Sequence, residues 1–271
     1  MLPISIITDE ISPELKEQLA VLESENIREI ELRSFGNKNL LDLADDEISN
    51  IKKEIDLRGF SVIAISSPIG KVKITDDFEQ HFKRFERALE LAQYFQAHIV
   101  RIFGYYLPED SHNSYNDEII RRMRMKTEKA KDKNVVLVLE NEDQSLFGSI
   151  SEEVIKLIKA VNSKHFRFLY DPGNYLHFFQ KKPYPEFYDS TNNFIHHIHV
   201  KDARLGEKGF LVPGTGEVDY PQLLKRLKKD GYNGYLSLEP HLASAGVTGG
   251  FAGVEGARSA IQALKKLILE I

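Results

Sequence analysis

The sequence contains no cysteine. That removes disulfides, thiolate nucleophiles and cysteine ligands together, so any metal has to be held by histidine, aspartate, glutamate or carbonyl oxygen. It also lacks a positive excess: 36 Lys+Arg stand against 41 Asp+Glu, a formal net charge of -5. A general nucleic-acid binder usually needs a basic face, so this balance argues against one. No apolar run approaches the ~20 residues of a membrane span. The opening "MLPISIITDEIS" has neither the basic start nor the apolar centre of a signal peptide. The expectation is a cytoplasmic protein with no nucleic acid and no membrane among its partners. No linker, low-complexity tract or composition shift divides the chain. Its 271 residues suffice for a core that buries roughly 75% of the unfolded surface.

What is present is an alternation. The runs "ISIITDE", "REIELR", "SVIAISS", "HIVRIFG", "VVLVLEN", "FRFLYD", "FIHHIHVKD" and "GYLSLEP" read as short strands, each followed by a helical stretch. Apolar, β-branched runs of this length suit buried parallel strands. Eight strand-then-helix units over about 250 residues match an α/β fold, a single (β/α)8 TIM barrel, with 1–271 as one domain. An open doubly wound sheet is the runner-up, but the Gly-rich phosphate loop expected after an early strand does not appear. "SISEEV" reads as a serine-capped helix start with a glutamate three residues on. "RRMRMK" at 121–126 reads as a solvated outer face rather than a nucleic-acid contact, because acids flank it.

A barrel keeps its chemistry at the C-terminal ends of its strands. "LYDPGNY" places Asp171 at such an end, where it either caps the next helix or holds something. The other strand ends answer alike: Asp9 and Glu10, Glu31 and Arg33, Ser66 and Ser67, Arg101, then Glu140, Asn141 and Glu142. Strand seven carries His197, His199 and Lys201, and strand eight ends in Glu239 and His241. Residues two apart share a strand face, so His197, His199 and Lys201 point together, Glu140 goes with Glu142 and Glu239 with His241. His196 points the other way. Four successive strands thus offer Glu140, Asp171, His199 and Glu239 as candidate ligands. Three carboxylates and an imidazole suit one divalent ion such as Mn²⁺, Mg²⁺, Co²⁺ or Zn²⁺.

In order along the chain, "SPIGK" at 67–71, "VLENE" at 138–142, "YDPGN" at 170–174, "HIHVKDAR" at 197–204, "PGTGEVDY" at 213–220 and "LSLEPH" at 236–241 resemble the motifs of a known family. It is the sugar phosphate isomerase/epimerase superfamily, the xylose isomerase-like TIM barrels. The group includes ketose 3-epimerases, inosose dehydratases and isomerases and, more distantly, the endonuclease IV enzymes. The resemblance implies a mononuclear metal site on Glu140, Asp171, His199 and Glu239, with His199 rather than His197 as the imidazole ligand. It matches Arg204 to a substrate-binding arginine. Lys201 and His241 are expected on substrate oxygens, and Asn174, Glu142 and Arg101 complete the substrate-binding set.

The implied activity is that of a divalent-metal-dependent isomerase or epimerase in carbohydrate metabolism. It acts on a sugar or keto-sugar by proton abstraction next to a carbonyl, through an enediolate, with Glu140 and Glu239 as the acid/base pair. The same site serves a dehydratase (lyase) on a keto-sugar or inosose. An endonuclease IV-like repair enzyme needs a three-metal cluster with histidines from more strands, and here strand three ends in Ser-Ser-Pro and position 174 is Asn. A non-catalytic sugar-binding barrel is a further class, against which the intact ligand set argues. Ketose 3-epimerases usually carry a histidine three residues after the Asp171-type ligand. Asn174 hydrogen-bonds a hydroxyl but is no base, which sets this chain apart from them.

No Lys/Arg cluster within the motifs marks a phosphate pocket, so an unphosphorylated small carbohydrate is expected. "PGTGEVDY" lacks the Gly-Lys-Ser/Thr of a P-loop. It reads as a tight turn into a helix, with Asp219 as cap and Pro221 in the first turn, and the resemblance places it on the rim of the site. A homo-oligomer is compatible with the sequence.

Overall fold

The apolar runs become eight short parallel strands in the computed structural model, which describes residues 2–108, 114–242 and 252–271. They are β1 (Ile4–Ile7), β2 (Glu29–Leu32), β3 (Ser61–Ser66), β4 (Ile99–Ile102), β5 (Val136–Glu140), β6 (Phe166–Tyr170), β7 (Ile195–Val200) and β8 (Leu236–Leu238). β1 pairs with both β2 and β8, which closes the sheet into a (β/α)8 barrel. The strands are shorter than the apolar runs because their last residues turn out of the ladder. Thr8–Glu10, for example, form a 3-10 turn at the top of β1.

Outside the barrel lie α1 (Leu15–Ser24), α2 (Asp45–Leu57), α3 (Phe78–Phe95), α4 (Asn116–Asp132), α5 (Ser151–Val161), α6 (Pro172–Phe179), α7 (Glu186–Thr191), α8 (Tyr220–Lys229) and α9 (Gly253–Leu269). Their apolar stripes pack on the outward strand residues: Leu19 and Leu22, Phe85 and Ala92, Leu223 and Leu227, Ile261 and Leu264 are all buried in one continuous core. Asp219 caps α8 by accepting from Gln222 N at 3.2 Å, with Pro221 in the first turn, as the sequence suggests.

Two local expectations need correction. α5 starts after Ile150 with no side-chain cap. Ser149 Oγ instead accepts the backbone N–H of Glu142 at 3.1 Å, so the serine steadies a residue of the strand end rather than the helix. The basic stretch on α4 is not a solvated face throughout. Arg121 and Arg124 meet water, but Arg122 is 8% exposed and Lys126 0%. Lys126 follows Ile119 and Met123 at helical spacing onto the core face, where its Nζ lies 4.7 Å over the Tyr105 ring.

The barrel interior is layered. Ile63, Ala64, Ile99, Val138 and Leu169 form a separate apolar cluster among the strands. Above it the filling turns polar: Ser5 Oγ donates to Ser237 Oγ at 2.7 Å, and Glu31, Ser66 and His197 are all buried. Two register shifts lie at this level, one between Ile30 and Glu31 against β3, the other between Phe168 and Leu169 against β7.

Candidate functional site

Asp171 both caps and points into the site. It follows Tyr170 in extended conformation, and its Oδ1 accepts from Asn174 N at 2.8 Å, starting α6 directly after the strand. Pro172 fits the first helical turn, where its missing N–H costs nothing. Gly173 is needed because the turn presses on β7: a Cβ there would sit 2.4 Å from the Lys201 carbonyl oxygen. Gly173→Ala is expected to push α6 off the barrel and lower stability by about 1–3 kcal/mol, read as a lower urea midpoint. An unchanged midpoint would show that α6 moves freely.

The four candidate ligands converge. Glu140 is 2% exposed, Asp171 and His199 0%, and Glu239 4%. His199 Nδ1 lies 3.0 Å from Glu140 Oε1 and 2.9 Å from Glu239 Oε2. Ligand atoms from all four residues fall within 4.8 Å of one another. Each carboxylate has one oxygen held and one left over. Glu140 Oε1 faces Asn174 Nδ2 at 3.4 Å, Asp171 Oδ1 is the helix cap, and Glu239 Oε1 takes Arg33 at 2.7 Å. Among the described residues, Glu140 Oε2, Asp171 Oδ2 and Glu239 Oε2 have no hydrogen-bond partner although they are buried. Cations stand close to them without hydrogen-bond alignment: Lys201 Nζ at 3.1 Å from Asp171 Oδ2 and 3.2 Å from Glu239 Oε2, Arg101 at 3.2 Å from Glu140 Oε2.

The electrostatics follow from burial against these partners. Burial pushes the Asp171 carboxyl up to about 6, with Lys201 opposing and the Glu140 and Glu239 charges adding to it. Burial also acts on Glu239, but Lys201, His241 and His199 outweigh it and hold that carboxyl well below its usual range. Glu140 is held down more mildly, with Arg101 and His199 overcoming burial. Both glutamates are thus carboxylates at neutral pH, which a proton acceptor requires.

A cavity of about 670 Å³ opens above this centre. Of the residues expected at the site, Glu140, Glu239, Asn174, Glu142, Lys201, Arg101 and His241 line it, and the buried Asp171 and His199 lie beneath. Asn174 Oδ1 accepts from Lys201 Nζ at 3.0 Å, so its amide spans Lys201 and Glu140. His241 takes a left-handed backbone conformation (φ 48°), held by Glu10, which accepts its N–H at 3.0 Å and lies 2.9 Å from its Nδ1.

Arg204 is not brought to the cavity. It is exposed, 3.1 Å from Glu207, and donates to the Thr215 carbonyl at 2.8 Å. The chain turns outward after Asp202, and the arginine turns with it. The loop of "PGTGEVDY" contributes no residue to the cavity lining. Asp202 draws it down by accepting from Gly214, Gly216 and Val218 N–H at 2.8, 3.0 and 3.1 Å. His196 points away from the site, as parity requires, into a cleft beside Tyr235 near the N-terminal ends of the strands.

The sequence reading left Asp9, Arg33 and Lys71 out of the site, yet all three line the cavity. Arg33 reaches Asp9, Glu10 and Glu239 at 2.9, 2.8 and 2.7 Å. Lys71 pairs with Glu142 at 2.6 Å. The available signal was their place at strand ends and, for Lys71, within "SPIGK".

The chain belongs to the xylose isomerase-like TIM barrel family, whose sequence model matches residues 19–267. It is 25% identical over 162 residues to the uncharacterized protein MJ1311 of Methanocaldococcus jannaschii, a match covering 57% of this chain and 52% of that protein. The match therefore spans about half the length of that relative. Similar solved structures include the probable 3-DHS dehydratase AsbF, involved in petrobactin synthesis, from Bacillus anthracis (TM-score 0.79, 16% identity, 97% of this chain and 99% of that one). A D-tagatose 3-epimerase-like protein is similar at TM-score 0.77 and 19% identity, over 99% of this chain and 97% of that one. At these identities the likeness is one of fold.

Proposed function

We propose that this protein is a divalent-metal-dependent isomerase or epimerase of an uncharged sugar or keto-sugar. The observation that carries the reading is the set of three buried carboxylates clustered with His199, each with one oxygen that no hydrogen bond satisfies. Such an oxygen-rich set with one imidazole fits Mn²⁺, Mg²⁺, Co²⁺ or Zn²⁺ held by Glu140, Asp171, His199 and Glu239. When bound, the ion would supply Lewis acidity to a substrate carbonyl.

The chain's own residues do the rest. Glu140 and Glu239 flank the centre; the one that is a carboxylate takes the proton next to the carbonyl, the other, protonated from solvent, gives its proton to the enediolate, and exchange with solvent resets the pair. Return to the opposite face epimerises, and return to the neighbouring carbon isomerises. Asn174, Lys201 and His241 offer hydrogen bonds to hydroxyls, and Lys201 and Arg101 hold the glutamates in place.

Charge balance supports an uncharged substrate. The structure gathers a Lys/Arg cluster that the motifs do not display, but Arg33, Lys71, Arg101 and Lys201 are each matched by acids. Six carboxylates (Asp9, Glu10, Glu140, Glu142, Asp171, Glu239) face these four cations, so a divalent ion makes up the difference and leaves no positive surplus for a phosphate.

A dehydratase on a keto-sugar or related polyol is the second reading. It is favoured by the likeness to a structure described as a probable dehydratase, with near-complete coverage of both chains.

The test is metal content of the purified protein beside Glu239→Ala and His199→Ala, followed by solvent-deuterium exchange into free ketoses. One divalent ion per chain, lost in both variants, together with exchange next to the carbonyl, is expected. Release of water in place of exchange would select the dehydratase. Two or three ions per chain would favour endonuclease IV-type chemistry. No ion even after reconstitution with Mn²⁺ or Co²⁺ would sink the proposal.

A further inference from the structure

Beneath the candidate metal centre the barrel contains a carboxylate that the reaction does not use. Glu31 on β2 is fully buried, in an interior that barrels usually fill with branched apolar residues. An ionised group there is costly unless it is paired and hydrogen-bonded. Glu31 is: Ser66 Oγ donates to its Oε2 at 2.5 Å, its Oε1 contacts His197 Nε2, and Oε2 lies 3.3 Å from His199 Nε2. The two register shifts of the barrel fall at Ile30/Glu31 and beside His197, which pairs with Leu169 across the shift. Shifts of this kind re-aim side chains next to functional sites. The network thus ties the Nε2 edges of His197 and His199 to one carboxylate.

We propose that Glu31 is a positioning residue that fixes the tautomer and ring orientation of His199, an inference that rests on the metal-centre reading above. A carboxylate only accepts hydrogen bonds, so each ring nitrogen of His199 that faces one carries a hydrogen until an ion is bound; the ion would replace the hydrogen on Nδ1, while Glu31 keeps the one on Nε2. With Nε2–H donated to Glu31, Nδ1 is the nitrogen turned towards Glu140 Oε1 and Glu239 Oε2, where an ion would be held. Metal-binding histidines are commonly oriented by such a partner, and its loss typically costs 10- to 100-fold in metal affinity. His197 and Ser66 keep the carboxylate from rotating away, which accounts for three polar residues below the site.

The experiment is metal affinity by chelator competition, together with the visible spectrum of the Co²⁺-loaded protein, for wild type, Glu31→Gln and Glu31→Asp. Glu31→Gln turns an amide nitrogen towards one of the imidazoles. It is expected to bind about 10- to 100-fold more weakly and to alter the Co²⁺ spectrum, with partial recovery in Glu31→Asp. Should Glu31→Gln fail to fold, Ser66→Ala removes one restraint on the same carboxylate and is expected to weaken binding several-fold. Wild-type affinity and an unchanged spectrum in a folded variant would overturn the proposal. So would two ions in wild type and one in Glu31→Gln, which would make Glu31 a ligand in its own right. A wild type that binds no ion would defeat the metal-centre reading instead, whatever Glu31 does.

Discussion

Glu239→Gln is expected to lower turnover by about 10²- to 10⁴-fold, the range that general acid–base groups contribute. The reason is how many partners depend on its charge. Oε1 accepts from Arg33 at 2.7 Å, and Oε2 lies 2.9 Å from His199 Nδ1 and 3.2 Å from Lys201 Nζ. The amide keeps the volume but presents an N–H₂ group to donors on one side or the other. It cannot take a proton from carbon. The measurement is the initial rate on a keto-sugar that wild type converts, with metal content determined on the same samples. Full metal loading with a rate loss of this size assigns Glu239 to proton transfer. Loss of metal with an equal loss of rate assigns it to ion binding alone. A loaded variant within ten-fold of wild type would remove Glu239 from the chemistry.

Glu239 was legible in the sequence for a physical reason. A barrel aligns its strand ends, so a charge after an apolar run falls on the same rim as every other such charge. Strand parity then pairs Glu140 with Glu142 and Glu239 with His241, and all four reach the cavity wall. Arg33 carried the same local signal, but its partner Glu239 is 206 residues away, and the pairing exists only once β1 lies between β2 and β8. Arg204 failed the other way. Its spacing from His199 matched a pattern, while its side chain is taken up by Glu207 and by the Thr215 carbonyl of the loop that Asp202 holds. Polar identity also concealed burial. Ser149 resembled a cap and supports Glu142 instead. Lys126 resembled a surface lysine because a long aliphatic stem and a charge normally reach water, as those of Arg121 and Arg124 do on the same helix.

Lys126 has the largest expected effect on stability. Among the described residues its Nζ has no hydrogen-bond partner, and the Tyr105 ring offers only a cation–π contact at 4.7 Å. Burial, with the Arg122 charge adding to it, pulls its pKa from 10.5 down to about 7. In the unfolded chain the amine returns to its ordinary value. Between about 7 and 10.5 the unfolded state therefore binds one more proton than the folded state, and wild-type stability rises with pH across that window. Below it both states carry the charge, and the full cost of burying an ammonium is present. Above it both are neutral and the cost vanishes. Lys126→Met keeps the stem and removes the amine. It is expected to stabilise the protein by about 4 kcal/mol at or below neutral pH, shrinking to a packing difference near the top of the window. Urea unfolding of both proteins in parallel across the window measures this directly, since groups titrating alike in the two cancel. A difference that stays flat with pH would mean that the amine keeps its charge and has a partner.

Turnover of the same variant separates cost from use. His81 stacks edge-on against Tyr105 at 5.7 Å and accepts the Gly70 N–H at 3.1 Å. Gly70 precedes Lys71 in the loop that frames the cavity, in a conformation (φ 106°) that brings it against the Phe103 carbonyl. The amine thus lies under a chain of contacts leading to the Lys71–Glu142 pair. A more stable Lys126→Met with wild-type turnover would make the buried amine a stability cost and nothing else. A more stable variant with lower turnover would show that the amine helps to set the loop's geometry through those contacts.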